Sequence, residues 1–480
     1  MSPVRRKRLW IVPWLVVACV LATFIVLRCA PQAPRPNVLW ITIDSLRSDH
    51  LGCNGYERAQ TANIDRLARQ GALFTQCVSQ ATFTNMSVPS MITGKYPYFT
   101  GVRTIVPDLD SSHVTLAEAL SNQEYFTCAF PEPWLLGFLQ GFQRWQQISH
   151  QTQQKTQWCL QTLDGLDTRP FFIWLYYWDP HAPYNPPQEQ MQAFQADSVE
   201  PGTGRLPESI RTASDEDLKD ATGCYRGEAE VLVRINQGRI TPTDADRIHL
   251  IDLYDAEIAL VDVHLGQVLD SIRSKGLWDN TLVVLNADHG ESFGEHGRYY
   301  HGLTLYEEEV RVPLIIKPAG FASAGKIIDG PVRNLDIMPT ILDYCGVKAP
   351  RGLQGQSLRP QLESDAAVHL PTCVETHNLA NRTHLIGYRT DQYMLIYNLT
   401  LDQAEMYHLS EDAAQRHNLL IAEGTSEEAG AQAEQTEARL QESLLNMLGA
   451  ETLSDLKVVQ TGAALDPRAR ERLKALGYIY

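Results

Sequence analysis

Thr281-Leu282-Val283-Val284-Leu285-Asn286-Ala287-Asp288-His289-Gly290 decides the fold class. The apolar run Thr281–Leu285 has the length and β-branched character of a buried strand, and it ends in two side chains able to hold a metal. Two upstream stretches repeat the arrangement. Asn37-Val38-Leu39-Trp40-Ile41-Thr42-Ile43 leads into Asp44, and Phe171-Phe172-Ile173-Trp174-Leu175-Tyr176-Tyr177 leads into Asp179-Pro180-His181. Continuous apolar strands that end in polar ligands are what a buried parallel sheet presents at its carboxyl edge, where α/β enzymes collect their chemistry. From Ile251 to Lys275 the apolar residues Leu253, Ile258, Leu260, Val261, Leu265, Val268, Leu269 and Ile272 recur at helical intervals, and Gly276 stops them. A helix that feeds directly into the Leu282 strand is a βαβ signature. The chain reads as an α/β enzyme.

At 480 residues there is room for one large domain and a smaller one, since single cores stop growing near about 250 to 300 residues. The sequence divides accordingly. Residues 1–36 hold a basic flank, Arg5-Arg6-Lys7-Arg8, then an apolar stretch from Leu9 to Leu27, then the spacer Pro31-Gln32-Ala33-Pro34-Arg35-Pro36. The apolar stretch is about long enough to cross a bilayer, and the basic flank predicts that everything after it is extracytoplasmic. A signal anchor is the preferred reading; cleavage, or lipidation at Cys19, stays open. Residues 37–360 form the expected catalytic domain. Residues 361–480, with strand-like His384–Tyr388 and Gln392–Tyr397 and a helical stretch near Glu427–Met447, form a smaller α+β domain. The net charge of −16 repels polyphosphate backbones and excludes nucleic acid as a partner. Cys53, Cys77, Cys128, Cys159, Cys224, Cys345 and Cys373 show no paired spacing, so a zinc-thiolate site is excluded while one or two disulfides stay open.

Asp44, Asp288 and His289 supply two carboxylates and an imidazole, enough for one divalent cation with a position left for a nucleophile or substrate oxygen. Asp44 alone after a strand would be a turn residue; beside Asp288-His289 it reads as a ligand. Between Ala81 and Gly94 a hydroxyl-rich turn, Ala-Thr-Phe-Thr-Asn-Met-Ser, enters a short helix whose first N–H groups favour an anionic substrate. The order Ile43-Asp44, Thr93-Gly94-Lys95-Tyr96-Pro97, His181-Ala182-Pro183-Tyr184 and Asp288-His289-Gly290-Glu291 resembles the sulfatase family of the alkaline phosphatase superfamily. Tyr306-Glu307-Glu308, Asp336-Ile337-Met338-Pro339-Thr340, Leu353-Gln354-Gly355 and Glu405-Met406-Tyr407-His408-Leu409 extend the resemblance to nearly the whole chain after Asn37. It implies an alkaline-phosphatase-like α/β fold, a large mostly parallel or mixed sheet with helices on both faces, plus a smaller C-terminal α+β domain. It also implies a metal-dependent hydrolase of sulfate or phosphate esters.

The departures from the family pattern shape the chemistry. Members that cleave sulfate esters carry Cys or Ser in a Cys-x-Pro-Ser-Arg signature, and that residue is oxidised to formylglycine. The gapless counterpart here is Thr84, which cannot be so modified; the competing alignment takes Ser87-Val88-Pro89-Ser90 and makes Ser87 the nucleophile. With Thr84 first, Pro89 falls inside the helix; with Ser87 first, it sits in the first turn. Thr84 is preferred, and an unmodified threonine implies attack on phosphorus, by a phosphoesterase or phosphodiesterase or by a transferase of phosphoglycerol or phosphoethanolamine onto a glycan or lipid. A catalytically silent glycan- or sulfate-binding protein is the remaining alternative. Ser45 replaces the family's second acidic ligand and His289 stands where calcium sulfatases often carry Asn, which shifts preference from Ca toward Mn or Zn, with Ca or Mg still open. The resemblance gives His181 and His301 the non-bridging or leaving oxygens. Because the signature arginine is missing, Lys95 joins them as a candidate for the ester's charge. His296 reads as a supporting loop residue.

Overall fold

The computed structural model describes residues 35–104, 108–147, 151–194, 227–320, 323–378, 383–421 and 426–458. The apolar runs become strands in the order β1 (Asn37–Ile43), β2 (Ala72–Val78), β3 (Phe126–Phe130), β4 (Arg144–Trp145), β5 (Phe171–Tyr177) and β6 (Thr281–Ala287). A short hairpin, β7 (Ser292–Phe293) and β8 (Tyr299–Tyr300), precedes β9 (Arg311–Lys317) and β10 (Lys326–Arg333). All but the hairpin join one sheet in the order β10-β2-β9-β6-β1-β5-β3-β4. Only β9 opposes its neighbours β2 and β6; the remaining pairs are parallel. β1, β5 and β6 are buried at every position, which is why their sequences are unbroken apolar runs without alternation.

Helices cover both faces. Successive strand side chains point to opposite faces, so Asn286 meets Met91 of α2 (Thr84–Thr93) on one face and Tyr177 meets Thr156 of α3 (Thr152–Asp164) on the other. The preceding helix, α1 (Ala62–Gln70), packs against α4 (Asp244–Ser274). The Asp262 carboxylate of α4 accepts from the backbone N–H groups of Asn63 and Ile64, at 3.0 and 2.8 Å, so it satisfies α1's first unpaired donors. The expected helix before β6 is present, but it starts seven residues earlier than its apolar periodicity suggests. A capping box of Thr243 and Asp246 begins it, and two acidic residues favour its first turn. On the α2 side α5 (Ile337–Tyr344) completes the layer.

A second, antiparallel sheet follows: β11 (Thr372–Asn378), β12 (Thr383–Arg389), β13 (Tyr393–Asn398) and β14 (Gln403–His408). Helix α6 (Glu427–Leu448) lays Leu440, Leu444 and Leu448 onto Ile386, Leu395 and Met406 of that sheet. The two sheets belong to one compact unit, Pro36–Tyr480, in which the Glu375 N–H of β11 donates to the Gln80 carbonyl at 3.0 Å. Among the described residues no helix is long and apolar enough to cross a membrane; the apolar stretch Leu9–Leu27 lies outside them, as does Cys224. The six described cysteines are free thiols, so no disulfide forms among them.

Leu285 is fully buried between β1 and β9, whereas Ile327 on the edge strand β10 is 69% exposed. Leu285→Ala is expected to cost about 2–5 kcal/mol by opening a cavity. Ile327→Ala should stay within about 0.5 kcal/mol. Urea unfolding followed by tryptophan fluorescence reads both.

Candidate active site

Register brings the ligands together. Ile43 pairs with Tyr177 on one side and with Ala287 on the other, so Asp44 and Asp288 are each the first residue past their strands, at the same level of the sheet. Below them Thr42, Tyr176 and Asn286 share one row and one face. The row is polar but satisfied: Trp40 and Trp174 donate their indole N–H groups to Asn286 Oδ1 at 2.8 Å and to Thr42 Oγ1 at 3.0 Å. Immediately after Asp44 the chain turns at Ser45, whose φ of 55° is left-handed and unusual for a residue with a Cβ. Such a conformation costs on the order of 1–3 kcal/mol. Its surroundings hold it: Ser45 N–H donates to Asp288 Oδ1 at 3.2 Å, and the Tyr254 hydroxyl donates to the Ser45 carbonyl at 2.7 Å. Gly290 has a steric reason. Its N–H donates to the Glu309 carbonyl at 2.8 Å, and a Cβ there would lie 2.1 Å from the Glu308 carbonyl oxygen.

Asp44, Asp288 and His289 are fully buried, and one ligand atom from each lies within 4.8 Å of the others. His289 Nε2 is 3.6 Å from Asp44 Oδ1 and 3.5 Å from Asp288 Oδ2. The His289 Nδ1 atom faces the Gly290 carbonyl at 2.9 Å. A carbonyl only accepts, so Nδ1 is the donor and the ring turns its Nε2 toward both carboxyl groups. Burial, followed by the charge of Asp288, pushes the Asp44 carboxyl well above the usual range. Three potential ligands converging in a buried space fit a divalent cation. Ligands about 2.1 Å from a tetrahedral centre stand roughly 3.4 Å apart, close to the separations seen.

Helix α2 begins at Thr84, whose Oγ1 lies 3.3 Å from His289 Nε2. Ser87, one turn further on, points elsewhere: its hydroxyl donates to the Asp288 carbonyl at 2.6 Å and meets Ser79 Oγ at 3.1 Å. Ser87 thus fastens the helix to the ligand strand, and Thr84 faces the cluster. Pro89 lies inside the helix.

His181 and His301 stand beside the cluster, with ring centroids 4.8 Å apart, and His301 is 4.2 Å from the His289 ring. His301 Nδ1 is 3.2 Å from the Glu291 carboxylate, and His181 Nε2 is 3.2 Å from the Tyr300 hydroxyl. Burial, reinforced by the neighbouring His289 and His181, pushes the His301 imidazole well below its ordinary value, so it is neutral at neutral pH. The structure corrects the expectation for Lys95. It follows α2 at the helix's far end, about 15 Å from Thr84 at 1.5 Å per residue, and its ammonium meets His113 Nδ1 at 3.0 Å. His296 is held by Glu308 at 2.6 Å and by the Gln415 carbonyl at 3.2 Å, a loop brace.

Two residues at the site escaped the sequence reading. Glu291 is fully buried, and burial together with Glu309 raises its carboxyl well above the ordinary range. Tyr176 places its hydroxyl against both ligand carboxylates. The signal for Tyr176 was its parity: it sits opposite Thr42, two residues before Asp44 and therefore on the same face.

The family model for Sulfatase matches residues 36–347, and that for N-sulphoglucosamine sulphohydrolase, C-terminal, matches 294–446. An N-acetylglucosamine-6-O-sulfatase of Bacteroides thetaiotaomicron is 25% identical over 470 residues, covering 81% of this chain and 83% of that protein. The multifunctional alkaline phosphatase superfamily protein PehA of Trinickia caryophylli is 28% identical over 407 residues, covering 68% and 77%. A solved structure in complex with its substrate D-glucosamine-2-N,6-O-disulfate superposes with a TM-score of 0.73 at 23% identity, covering 87% of this chain and 98% of that one. The α/β architecture and the match over residues 36–347 establish that this chain belongs to the sulfatase family of ester hydrolases, within the alkaline phosphatase superfamily.

Proposed function

We propose that this protein is a metal-dependent ester hydrolase in which Asp44, Asp288 and His289 hold one divalent cation, Mn or Zn in preference to Ca, and Thr84 is the unmodified nucleophile. The observation that carries the reading is the Thr84 hydroxyl 3.3 Å from His289 Nε2, at the start of a helix and beside two buried carboxylates. A divalent cation, when bound, supplies positive charge against the negative charge that develops on the reacting oxygens. The protein supplies position. α2 holds Thr84 in place, with Ser87 locking the helix to the Asp288 backbone. Its first-turn N–H groups favour an anionic ester. As the Oγ–phosphorus bond forms, the bond to the leaving oxygen breaks, and the proton given up by the Thr84 hydroxyl is the one the leaving oxygen takes, relayed through the neutral His301 and its neighbour His181. Water then resolves the ester on Thr84.

Thr84 favours phosphorus esters, diesters above all, since it cannot be converted to the formylglycine on which sulfate-ester cleavage in the family relies. The relation to a sugar 6-O-sulfatase supports a second reading, hydrolysis of a sulfate ester on a glycan. The basic flank and the apolar stretch Leu9–Leu27 support an extracytoplasmic enzyme tethered at the membrane, near glycan or lipid head groups.

An assay panel of aryl sulfate, sugar 6-sulfate, phosphate monoester, phosphodiester and phosphonate monoester is expected to show the highest kcat/KM on a phosphorus ester. Robust turnover of sulfate esters alone would reverse the assignment. Thr84→Ala should lower kcat by at least about a thousandfold, whereas Ser87→Ala should keep it within about tenfold. After a substrate pulse, mass spectrometry of the peptide containing both residues should find the phosphate on Thr84. Chelation should abolish turnover, and Mn²⁺ or Zn²⁺ should restore it better than Ca²⁺.

A further inference from the structure

Tyr176 is buried at the centre of the cluster, and neither the family resemblance nor the reaction scheme gives it a role. We infer that the Tyr176 phenol oxygen is a further ligand of the cation site, completing a set of Asp44, Asp288, His289 and Tyr176 beside Thr84. The inference rests on the cation site proposed above.

The hydroxyl lies 2.7 Å from Asp44 Oδ2 and 3.0 Å from Asp288 Oδ2. The phenol oxygen therefore stands between the two carboxyl groups that are the proposed ligands, and an ion among these oxygens would be shared by all three side chains. Asp288 Oδ2 is the shared corner, 3.0 Å from the Tyr176 oxygen and 3.5 Å from His289 Nε2. Those are the spacings of neighbouring ligands around one small cation, roughly 3.0 Å for octahedral and 3.4 Å for tetrahedral geometry with bonds of about 2.1 Å. Sheet register fixes the tyrosine. Tyr176 pairs with Thr42, and β5 around it is buried throughout, so the ring cannot swing away without breaking the row beneath the site. The Ser45 hydroxyl is turned to Asp44 Oδ1 at 2.9 Å, whereas the Tyr176 oxygen meets Asp44 and Asp288 together.

The competing role is a brace that only hydrogen-bonds the carboxylates. Loss of such a brace can itself weaken metal affinity by about 10- to 100-fold, so affinity alone does not discriminate. The purified full chain and Tyr176→Phe are titrated with Zn²⁺ by calorimetry and with Fe³⁺ under visible absorption, with bound metal counted by elemental analysis. The expected result is one equivalent bound, an affinity at least about tenfold weaker in Tyr176→Phe, and a visible phenolate-to-iron charge-transfer band in the wild type that the variant lacks. One bound Fe³⁺ without that band in the wild type overturns the inference, whatever the variant does. A band that persists in Tyr176→Phe overturns it equally. Asp288→Asn separates the underlying reading: if the wild type binds no metal, or binds it no better than Asp288→Asn, the cation site itself fails and the tyrosine assignment falls with it.

Discussion

Two carboxyl groups and an imidazole are forced together in the buried interior, and the rest of the molecule serves that contact. In bulk water the repulsion between Asp44 and Asp288 would be about 1 kcal/mol at a few ångströms; at the lower effective dielectric of a protein interior it is several times larger. The fold must therefore overcome a local repulsion whenever the site lacks a counter-charge. Burial first, and the charge of Asp288 second, hold the Asp44 carboxyl well above its usual range. Metal binding and stability are linked in such a site, because a ligand that binds only the assembled cluster also stabilises the chain that assembles it.

A parallel sheet is suited to holding such a cluster, because its register is set far from the site. Trp40, Ile41 and Leu285 are buried in the middle of the sheet, yet a slip of one residue there would send Asp44 to the opposite face. The backbone strain at Ser45 and the close approach at Gly290 are tolerated because this scaffold over-determines them. The hydroxyl of Ser87 adds a tie between the helix that begins at Thr84 and the strand that ends at Asp288.

Much of this was legible in the residues, and the limits are instructive. Strands buried on both faces are the easiest elements to find, since every position is apolar and the run must be short. Ligands at their carboxyl ends follow, because position along one strand places them without knowledge of other contacts. α4 was recognisable from its apolar stripe, but its first two turns carry Asp and Arg and were fixed by the Thr243 cap instead. Lys95 was misplaced because a signature is one-dimensional: ten residues of helix carry the chain out of reach of the site. Tyr176 was quoted as part of an apolar run and passed over, since an aromatic in a buried strand is usually core. Only its register with Thr42 separates the two readings, and register is a property of the assembled sheet.

The inventory of charge narrows the class of ester that fits the proposed chemistry. The carboxyl groups of Asp44 and Asp288 would meet the two charges of the proposed cation, burial with Glu309 pushes Glu291 toward its uncharged form, and burial with its histidine neighbours keeps His301 neutral. The nearby described cations are already engaged: Arg47 with Asp49 and Glu295, Lys155 with Glu132, and Arg333 with Asp336. Arg103 is engaged with Glu375. Freeing Lys155, Arg333 or Arg103 would strand a buried carboxylate, at a cost of about 3–5 kcal/mol. A dianionic phosphate monoester would therefore bring more negative charge than one divalent cation can offset amid those carboxylates. A monoanion, such as a phosphodiester, a phosphonate monoester or a sulfate ester, brings half as much. Among these monoanions the proposed nucleophile Thr84 would discriminate by chemistry, because an unmodified hydroxyl suits phosphorus and lacks the aldehyde hydrate on which the family's sulfate cleavage depends.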